Sequence, residues 1–238
     1  LHTLYTNASL FDGRYRLGEG RWEGAVGVVR EAYDISAHDL RVVIKHPDPY
    51  LGPEVRAYKE RLLDLEAEAL QRLDAHPQVC RMLGQGRVGS GPGGYRYLVI
   101  EWADGEPVSA LLQEAAQQGG SLPIGTILTI LIQLARVLAE AHRQGLINND
   151  VDVKHLYWNQ SARNLKMIDW GNAKLVSGAD AGPFTLRDDV TQFADVMYCL
   201  LTGRHALDAT QADLAFWQEA LSEVHPAVRD DLALIGSR

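Results

Sequence analysis

Short apolar runs alternate with glycine, aspartate and histidine through the first hundred residues. The runs at 15–17, 24–33 and 40–45 are brief and rich in β-branched and aromatic residues, a pattern typical of strands. They predict a three-stranded antiparallel meander. Two further strands are predicted around 79–88 and 95–101, because the segment between them contains only glycine, serine and proline.

Apolar residues recur at helical spacing in 54–73 and in most of the chain from 107 onward. Leucine and alanine recur at helical spacing over 54–73 among many charges, which predicts one long amphipathic helix that ends before His76-Pro77. From 107 onward we predict helices at 107–118, 123–144, 188–202 and 208–222, with short extended pieces at 155–158 and 165–169. This order predicts an α+β fold with two lobes that share a cleft, residues 1–103 and 104–238.

Composition narrows the function classes. The chain has 238 residues and a net charge of −8, so we expect no nucleic-acid partner. Cys80 and Cys199 lie in apolar runs and are interpreted as buried thiols in a reducing compartment. No run of about 18 uninterrupted apolar residues occurs, so we expect a cytoplasmic protein without a membrane partner. The absence of an initiator Met is consistent with a piece of a longer protein that has further domains or a protein partner.

A glycine-rich segment, LGEGRWEGAV at 17–26, is predicted to form the turn between the first two strands. Glycines such as Gly18, Gly20 and Gly24 have no Cβ, so their backbone N–H groups can approach phosphate oxygens closely. Taken alone, a plain hairpin turn explains the segment equally well.

The segment VVIK ends the next predicted strand. Alternation places Lys45 on the face of Val43, so the apolar surface that would hold a flat base also carries a cation able to reach phosphates. A single strand-end lysine is more often solvated. A glutamate on the following helix would be its partner; we favour Glu66, with Glu68 as the alternative.

Two aspartates follow apolar runs, Asp150 in GLINND and Asp169 in MIDWG. A carboxylate is a ligand for a hard divalent cation and a base for a hydroxyl nucleophile. Either residue alone is more often a turn former or a helix cap.

Read in order, these segments resemble the protein-kinase superfamily over about 15–204. VVIK is similar to VAIK, YLVIE to the strand that leads into the hinge, NND to HRD and DWG to DFG. The resemblance implies a eukaryotic-type Ser/Thr kinase fold that uses ATP with Mg²⁺ or Mn²⁺. It implies that Lys45 holds the α- and β-phosphates, Glu66 orients it, Asp150 takes the proton of the substrate hydroxyl and Asp169 binds the metal.

The same resemblance implies an adenine site. Its glycine-rich loop, gatekeeper, hinge backbone and pocket lining would be formed by Gly18, Gly20, Gly24, Val26, Val43, Ile100, Glu101, Ala103 and Tyr157.

Departures from the family pattern concern catalysis. Asp152 stands where the family has a lysine, which puts like charge near the γ-phosphate; only a metal or Lys154 would compensate, so transfer should be slow. His155 stands where an asparagine holds the second metal. An imidazole favours softer ions than Mg²⁺, which predicts a relative preference for Mn²⁺; a ring that only packs is an equal alternative.

The segment after DWG is short, with 20 positions from Asp169 to Asp189. A full activation segment needs about 15 more and an Ala-Pro-Glu motif, so control by phosphorylation of this segment is not expected. Asp189 is predicted to open the helix that anchors the second lobe, although the pair Asp188-Asp189 also reads as a solvated helix start. His142 is interpreted as structural.

Three functions therefore stay open: an atypical phosphotransferase acting on Ser/Thr proteins, a small-molecule kinase of the aminoglycoside or choline kinase type, and a pseudokinase that binds nucleotide or a partner.

Overall fold

The computed structural model describes residues 10–90, 93–176 and 186–204, and its architecture is the predicted α+β. Two compact units are present. The first contains the described residues up to Ala103 together with Ile168–Lys174, and the second contains Asp104–Met167 and the described residues from Leu175 onward. The helix predicted at 208–222 lies outside the described residues.

The first unit is a five-stranded antiparallel sheet with one helix. In sheet order its strands run β1-β2-β3-β5-β4, and helix α1 packs against β3, β4 and β5. The bounds are β1 Tyr15–Glu23, β2 Val28–Asp34, β3 Leu40–His46, α1 Pro53–Arg72, β4 Met82–Val88 and β5 Tyr95–Glu101. Both the predicted meander and the predicted helix are confirmed.

The predicted position of the glycine turn was wrong. Strand β1 continues through Gly18 and Gly20 to Glu23, and its pairing with β2 shifts between Leu17 and Arg21. The turn lies later, where Gly24 and Gly27 exchange backbone hydrogen bonds of 2.8 and 3.0 Å. Gly27 has φ 139°, and a Cβ there would lie 2.9 Å from a backbone carbonyl oxygen, so the reversal requires glycine at this position.

The two faces of the sheet differ. One face buries a core of Tyr15, Ala32, Val42, Ile44, Tyr97 and Val99. The opposite face carries Val43, Lys45 and Ile100, because Val43 pairs with Ile100 and Lys45 with Leu98. The alternation predicted for VVIK is therefore confirmed. We call this opposite surface the lysine face.

The second unit is mainly helical. Its elements are β6 Glu106–Pro107, α2 Val108–Gln117, α3 Ile124–Arg143, β7 Leu146–Ile147, β8 Leu156–Asn159, β9 Asn164–Met167 and α4 Leu186–Thr202. The dipeptide strand β10, Lys174–Leu175, follows β9 along the chain. Strand β8 pairs with β6 and β9, and α3 packs against α4.

Helix α3 is long and apolar enough to cross a membrane by length and composition alone, a test that core helices of soluble proteins also pass. One side of α3 is buried within this unit, through residues that include Ile130, Leu134 and Val137. Both cysteines predicted as buried thiols, Cys80 and Cys199, are buried and free.

Candidate active site

Three side chains from separate parts of the first unit, those of Lys45, Glu66 and Asp169, meet in one cluster. The Lys45 ammonium donates to Glu66 Oε1 at 2.6 Å and to Asp169 Oδ1 at 3.3 Å. Lys45 comes from the end of β3, Glu66 from the middle of α1, and Asp169 from the segment after β9. Glu68, the alternative partner, is half exposed and pairs instead with Arg72, one turn further along the same helix.

Burial and charge act in opposite directions at this cluster. Glu66 is fully buried and Lys45 is 7% exposed. Burial acts to lower the pKa of Lys45, but the two carboxylates outweigh it and raise that pKa. Burial raises the pKa of Glu66, against the opposing effect of Lys45. The ammonium is thus held in its charged form by Glu66 and Asp169 together.

The DWG segment is shaped to place Asp169. Asp169 has φ 63°, a left-handed conformation that aspartate adopts more readily than most residues. The Gly171 N–H donates to Asp169 Oδ1 and the Trp170 N–H to Glu66 Oε1, both at 3.4 Å. A Cβ on Gly171 would lie 3.4 Å from Asp169 Oδ1 and 3.7 Å from Val26, both ordinary van der Waals distances, so this position would also accept alanine.

The Asp169 carboxylate fits a divalent cation whose other ligands are phosphate oxygens and water. No group of three or more His, Cys, Asp or Glu side chains forms a ready-made metal site within the part of the chain that the structure describes. Mg²⁺ commonly binds through one or two carboxylates together with substrate phosphates and water. Asp169 offers such a carboxylate, with its side chain 24% exposed.

In the second unit, the segment after β7 carries Asp150 and His155. The His155 Nδ1 lies 3.0 Å from the Asp150 carbonyl oxygen and 3.8 Å from Asp150 Oδ2. A carbonyl only accepts, so Nδ1 carries a proton and donates it to this oxygen. The side chain of His155 therefore fixes the backbone at Asp150, and any metal would have to bind at Nε2.

Asp152 is partly buried and accepts the Lys154 N–H at 3.0 Å. The Lys154 ammonium lies 3.4 Å from Asp152 Oδ2 and 4.0 Å from Asp150 Oδ1. Burial acts to raise the pKa of Asp152, but the Lys154 backbone and charge lower it overall. The Asp152 carboxylate is therefore ionised, and the nearby Lys154 ammonium offsets its negative charge.

The interpretation of Asp189 as part of a solvated helix start was wrong. Its side chain is fully buried and accepts the backbone N–H groups of Asn148 and Asn149 at 2.9 and 2.7 Å. His142 Nε2 lies 2.9 Å from the same carboxylate, which gives this histidine its structural role. Asn149 has φ 61°, a conformation that asparagine tolerates well. Asp189 therefore positions the segment that carries Asp150.

The remaining predicted residues fall in different places. Gly18, Gly20, Gly24, Val26, Val43, Ile100, Glu101 and Ala103 belong to the first unit, whereas Tyr157 lies on β8 of the second. The Gly20 N–H, predicted to face phosphate, donates to Glu31 Oε2 at 3.1 Å. The Glu101 N–H donates to the Arg81 carbonyl at 2.9 Å, so it is already used within the sheet. Sequence reasoning missed Glu31 because an acidic residue inside a strand gave no signal of its own.

Comparison with known proteins finds several Ser/Thr protein kinases that are similar to this chain. No protein-family model matches the chain. The chain is 31% identical over 147 residues to serine/threonine-protein kinase PksC of Streptomyces coelicolor, covering 62% of this chain and 26% of that protein. Over 176 residues, 73% of this chain, it is 28% identical to serine/threonine-protein kinase pkn2 of Myxococcus xanthus and 32% identical to serine/threonine-protein kinase PknA of Mycobacterium tuberculosis.

The chain spans between 20% and 38% of the length of these three relatives. Three findings support the same family: the similarity to several Ser/Thr protein kinases, the α+β architecture and the order of the motifs. The chain belongs to the protein-kinase-like superfamily.

Proposed function

We propose that this chain binds ATP with Mg²⁺ or Mn²⁺ and transfers the γ-phosphate to a hydroxyl of a Ser/Thr protein substrate. Asp169 binds the metal, and Lys45 holds the α- and β-phosphates. Asp150 accepts the proton of the attacking hydroxyl. The bound metal neutralises charge on the phosphates, while the protein orients the groups that react.

One observation carries this proposal: the convergence of Lys45, Glu66 and Asp169. Burying a lysine and a glutamate without a compensating role is costly, and apolar residues of similar size would often be as stable. A charged lysine held between two carboxylates, one of them partly exposed, suits a site that exchanges one carboxylate contact for phosphate.

The test follows labelled phosphate from γ-labelled ATP into protein and into free phosphate, with Mg²⁺ and with Mn²⁺. Asp150→Asn should reduce transfer at least a hundredfold, since positioned acid–base groups commonly contribute about 10²–10⁴ in rate. Asp169→Asn should also reduce transfer strongly, because the metal loses its carboxylate ligand. The matched control is Asp64→Asn, on the outer side of α1, where the half-exposed carboxylate pairs only with Arg96 among the described residues. Transfer that persists in both site variants would refute the assignment.

The metal arm of this assay addresses His155. If Nε2 ligates a metal, wild type should favour Mn²⁺ over Mg²⁺, and His155→Asn should remove that preference. An unchanged preference in the variant would assign the ring only to its contact with the Asp150 carbonyl.

A second candidate function is a pseudokinase that binds nucleotide without turnover. Asp152 favours it, because an ionised carboxylate near the transferred phosphate opposes the reaction. Nucleotide binding without transfer in either metal would establish this alternative. Transfer to choline or an aminoglycoside, but to no protein, would instead establish a small-molecule kinase.

A further inference from the structure

The lysine face has three rows of side chains across its strands. In the first row, Trp22 pairs with Val29, and Val29 pairs with Lys45. The second row contains Glu31 and Val43, which pair with each other, and Ile100. Successive rows are separated by two residues along a strand, roughly 7 Å.

The third row contains Tyr33 and Arg41, which are also paired. Trp102 follows β5, two residues after Ile100, and stacks against Arg41: the guanidinium carbon lies 3.6 Å from the ring centroid. Trp22 and Trp102 therefore start from backbone positions at opposite ends of the face.

Their rings nevertheless meet. The ring centroids of Trp22 and Trp102 are 6.3 Å apart with the planes inclined at 48°. Since the backbone positions are two rows apart, the side chains lean toward each other along the strands, and the Trp22 ring lies beside Gly20, whose N–H donates to Glu31 of the middle row. The Trp22 indole crosses Gly20 on the way, because a Cβ on that glycine would overlap the outer edge of the indole ring.

Hydrogen bonds to Glu31 connect Arg41, which stacks on Trp102, with Gly20, which lies under Trp22. Glu31 Oε1 accepts Arg41 Nε at 2.8 Å and the Tyr33 hydroxyl at 2.8 Å. Its other oxygen accepts the Gly20 N–H. Gly20, Trp22, Trp102, Arg41 and Glu31 thus form a closed ring of contacts, which we call the tryptophan clasp.

We propose that the Trp22 indole occupies the base-binding part of the lysine face and competes with the purine base, so that Trp22 sets nucleotide affinity. The inference rests on the proposed ATP-binding function. The predicted base site includes Gly20, Glu101 and Ala103. An indole that lies over Gly20 and meets Trp102, between Glu101 and Ala103, must leave before a base enters this site. Trp22 is 48% exposed, so a ligand can displace it without unfolding the sheet.

The test uses adenosine, which presents the base without phosphates and needs neither metal nor catalysis. Trp22→Ala should bind adenosine about threefold to tenfold tighter than wild type, since an aromatic pair of this kind is worth up to about a tenfold change in an equilibrium constant. Trp22→Phe should fall between the two. The matched control is Tyr58→Ala, which removes an aromatic ring of similar exposure, 50%, from α1 of the same unit.

A second measurement reports where the indole goes. Acrylamide quenching is compared with and without saturating adenosine in wild type and in Trp22→Phe, so that the difference isolates the Trp22 signal. We expect quenching of Trp22 to increase when adenosine binds. Decreased quenching, with weaker binding by Trp22→Ala, would mean that the indole stacks on the base, and this overturns the proposal.

The remaining outcomes separate this inference from the proposed phosphotransfer. Tighter adenosine binding by Trp22→Ala in a protein that transfers no phosphate supports the clasp and refutes phosphotransfer. Unchanged adenosine affinity in a protein that does transfer phosphate refutes the clasp alone. If neither wild type nor Trp22→Ala binds adenosine, the clasp is refuted, and label transfer from ATP decides the phosphotransfer proposal separately.

Discussion

Replacing Glu66 by glutamine keeps the size of the side chain but removes the negative charge that faces Lys45. Glutamine also mimics a protonated glutamate, so the substitution asks whether Glu66 is ionised inside the fold. Burial and Lys45 act on the pKa of Glu66 in opposite directions, and the measured cost of the change reports which state is present.

The expected cost follows from the geometry. Removing one partner of a fully buried ion pair costs about 3–5 kcal/mol of unfolding free energy. Asp169 remains 3.3 Å from the ammonium and retains part of the attraction, so we expect a loss of about 2–3 kcal/mol. The matched variant Glu68→Gln removes an exposed pair with Arg72 and should cost less than about 0.5 kcal/mol.

Urea unfolding at pH 7, followed by circular dichroism, measures both variants. A third protein, Lys45→Met with Glu66→Met, removes the fully buried pair and should be more stable than Lys45→Met or Glu66→Met alone. No fully buried charge is then left unpaired, and Asp169 keeps partial access to water. Equal losses for Glu66→Gln and Glu68→Gln would show that Glu66 is already neutral, and the reasoning about a charged Lys45–Glu66 pair would be refuted.

Two further predictions concern carboxylates outside this cluster. Asp34 accepts two hydrogen bonds from Arg14, at 2.9 and 2.6 Å, which hold the pKa of Asp34 below its ordinary value. The stability that ionised Asp34 gives to the fold is present above about pH 4 and is lost as pH falls through the folded-state pKa. Asp34→Asn should therefore lower the free energy of unfolding by about 1 kcal/mol at pH 7, a small value because Arg14 is half exposed to water. The difference in urea midpoint between this variant and wild type should shrink near pH 3. A difference that does not change with pH would contradict this. Asp189→Asn should cost about 2–4 kcal/mol, because a buried carboxylate loses part of its acceptor capacity, whereas Asp188→Asn should cost less than about 1 kcal/mol; similar losses would argue against the role of Asp189 in holding the Asp150 segment.

The choice between Glu66 and Glu68 shows where sequence reasoning reaches its limit. Residues two positions apart on a helix, such as Glu66 and Glu68, point in directions that differ by about 200°. Only one of the two can therefore face β3. The buried positions Leu62, Leu63 and Leu70 lie on the same side as Glu66, and this periodicity was readable from the sequence. Which strand that side covers, and which lysine it meets, depended on packing.

Local chemistry was sufficient for several features. Period-two alternation placed Lys45 beside Val43, helical periodicity predicted α1, and the order of the motifs indicated the superfamily. These features depend on residues close in sequence or on a fixed order of segments, so the sequence alone determined them.

Other features required the tertiary structure. Asp189 is buried because α4 brings it against backbone N–H groups some 40 positions earlier in the chain. Glu31 accepts the Gly20 N–H across the pairing of β1 with β2, and the Trp22 ring meets the ring of Trp102, 80 positions later in the chain (102 − 22). Contacts of this kind depend on how distant segments pack, which no local pattern of residues specifies, so only the folded chain decided them.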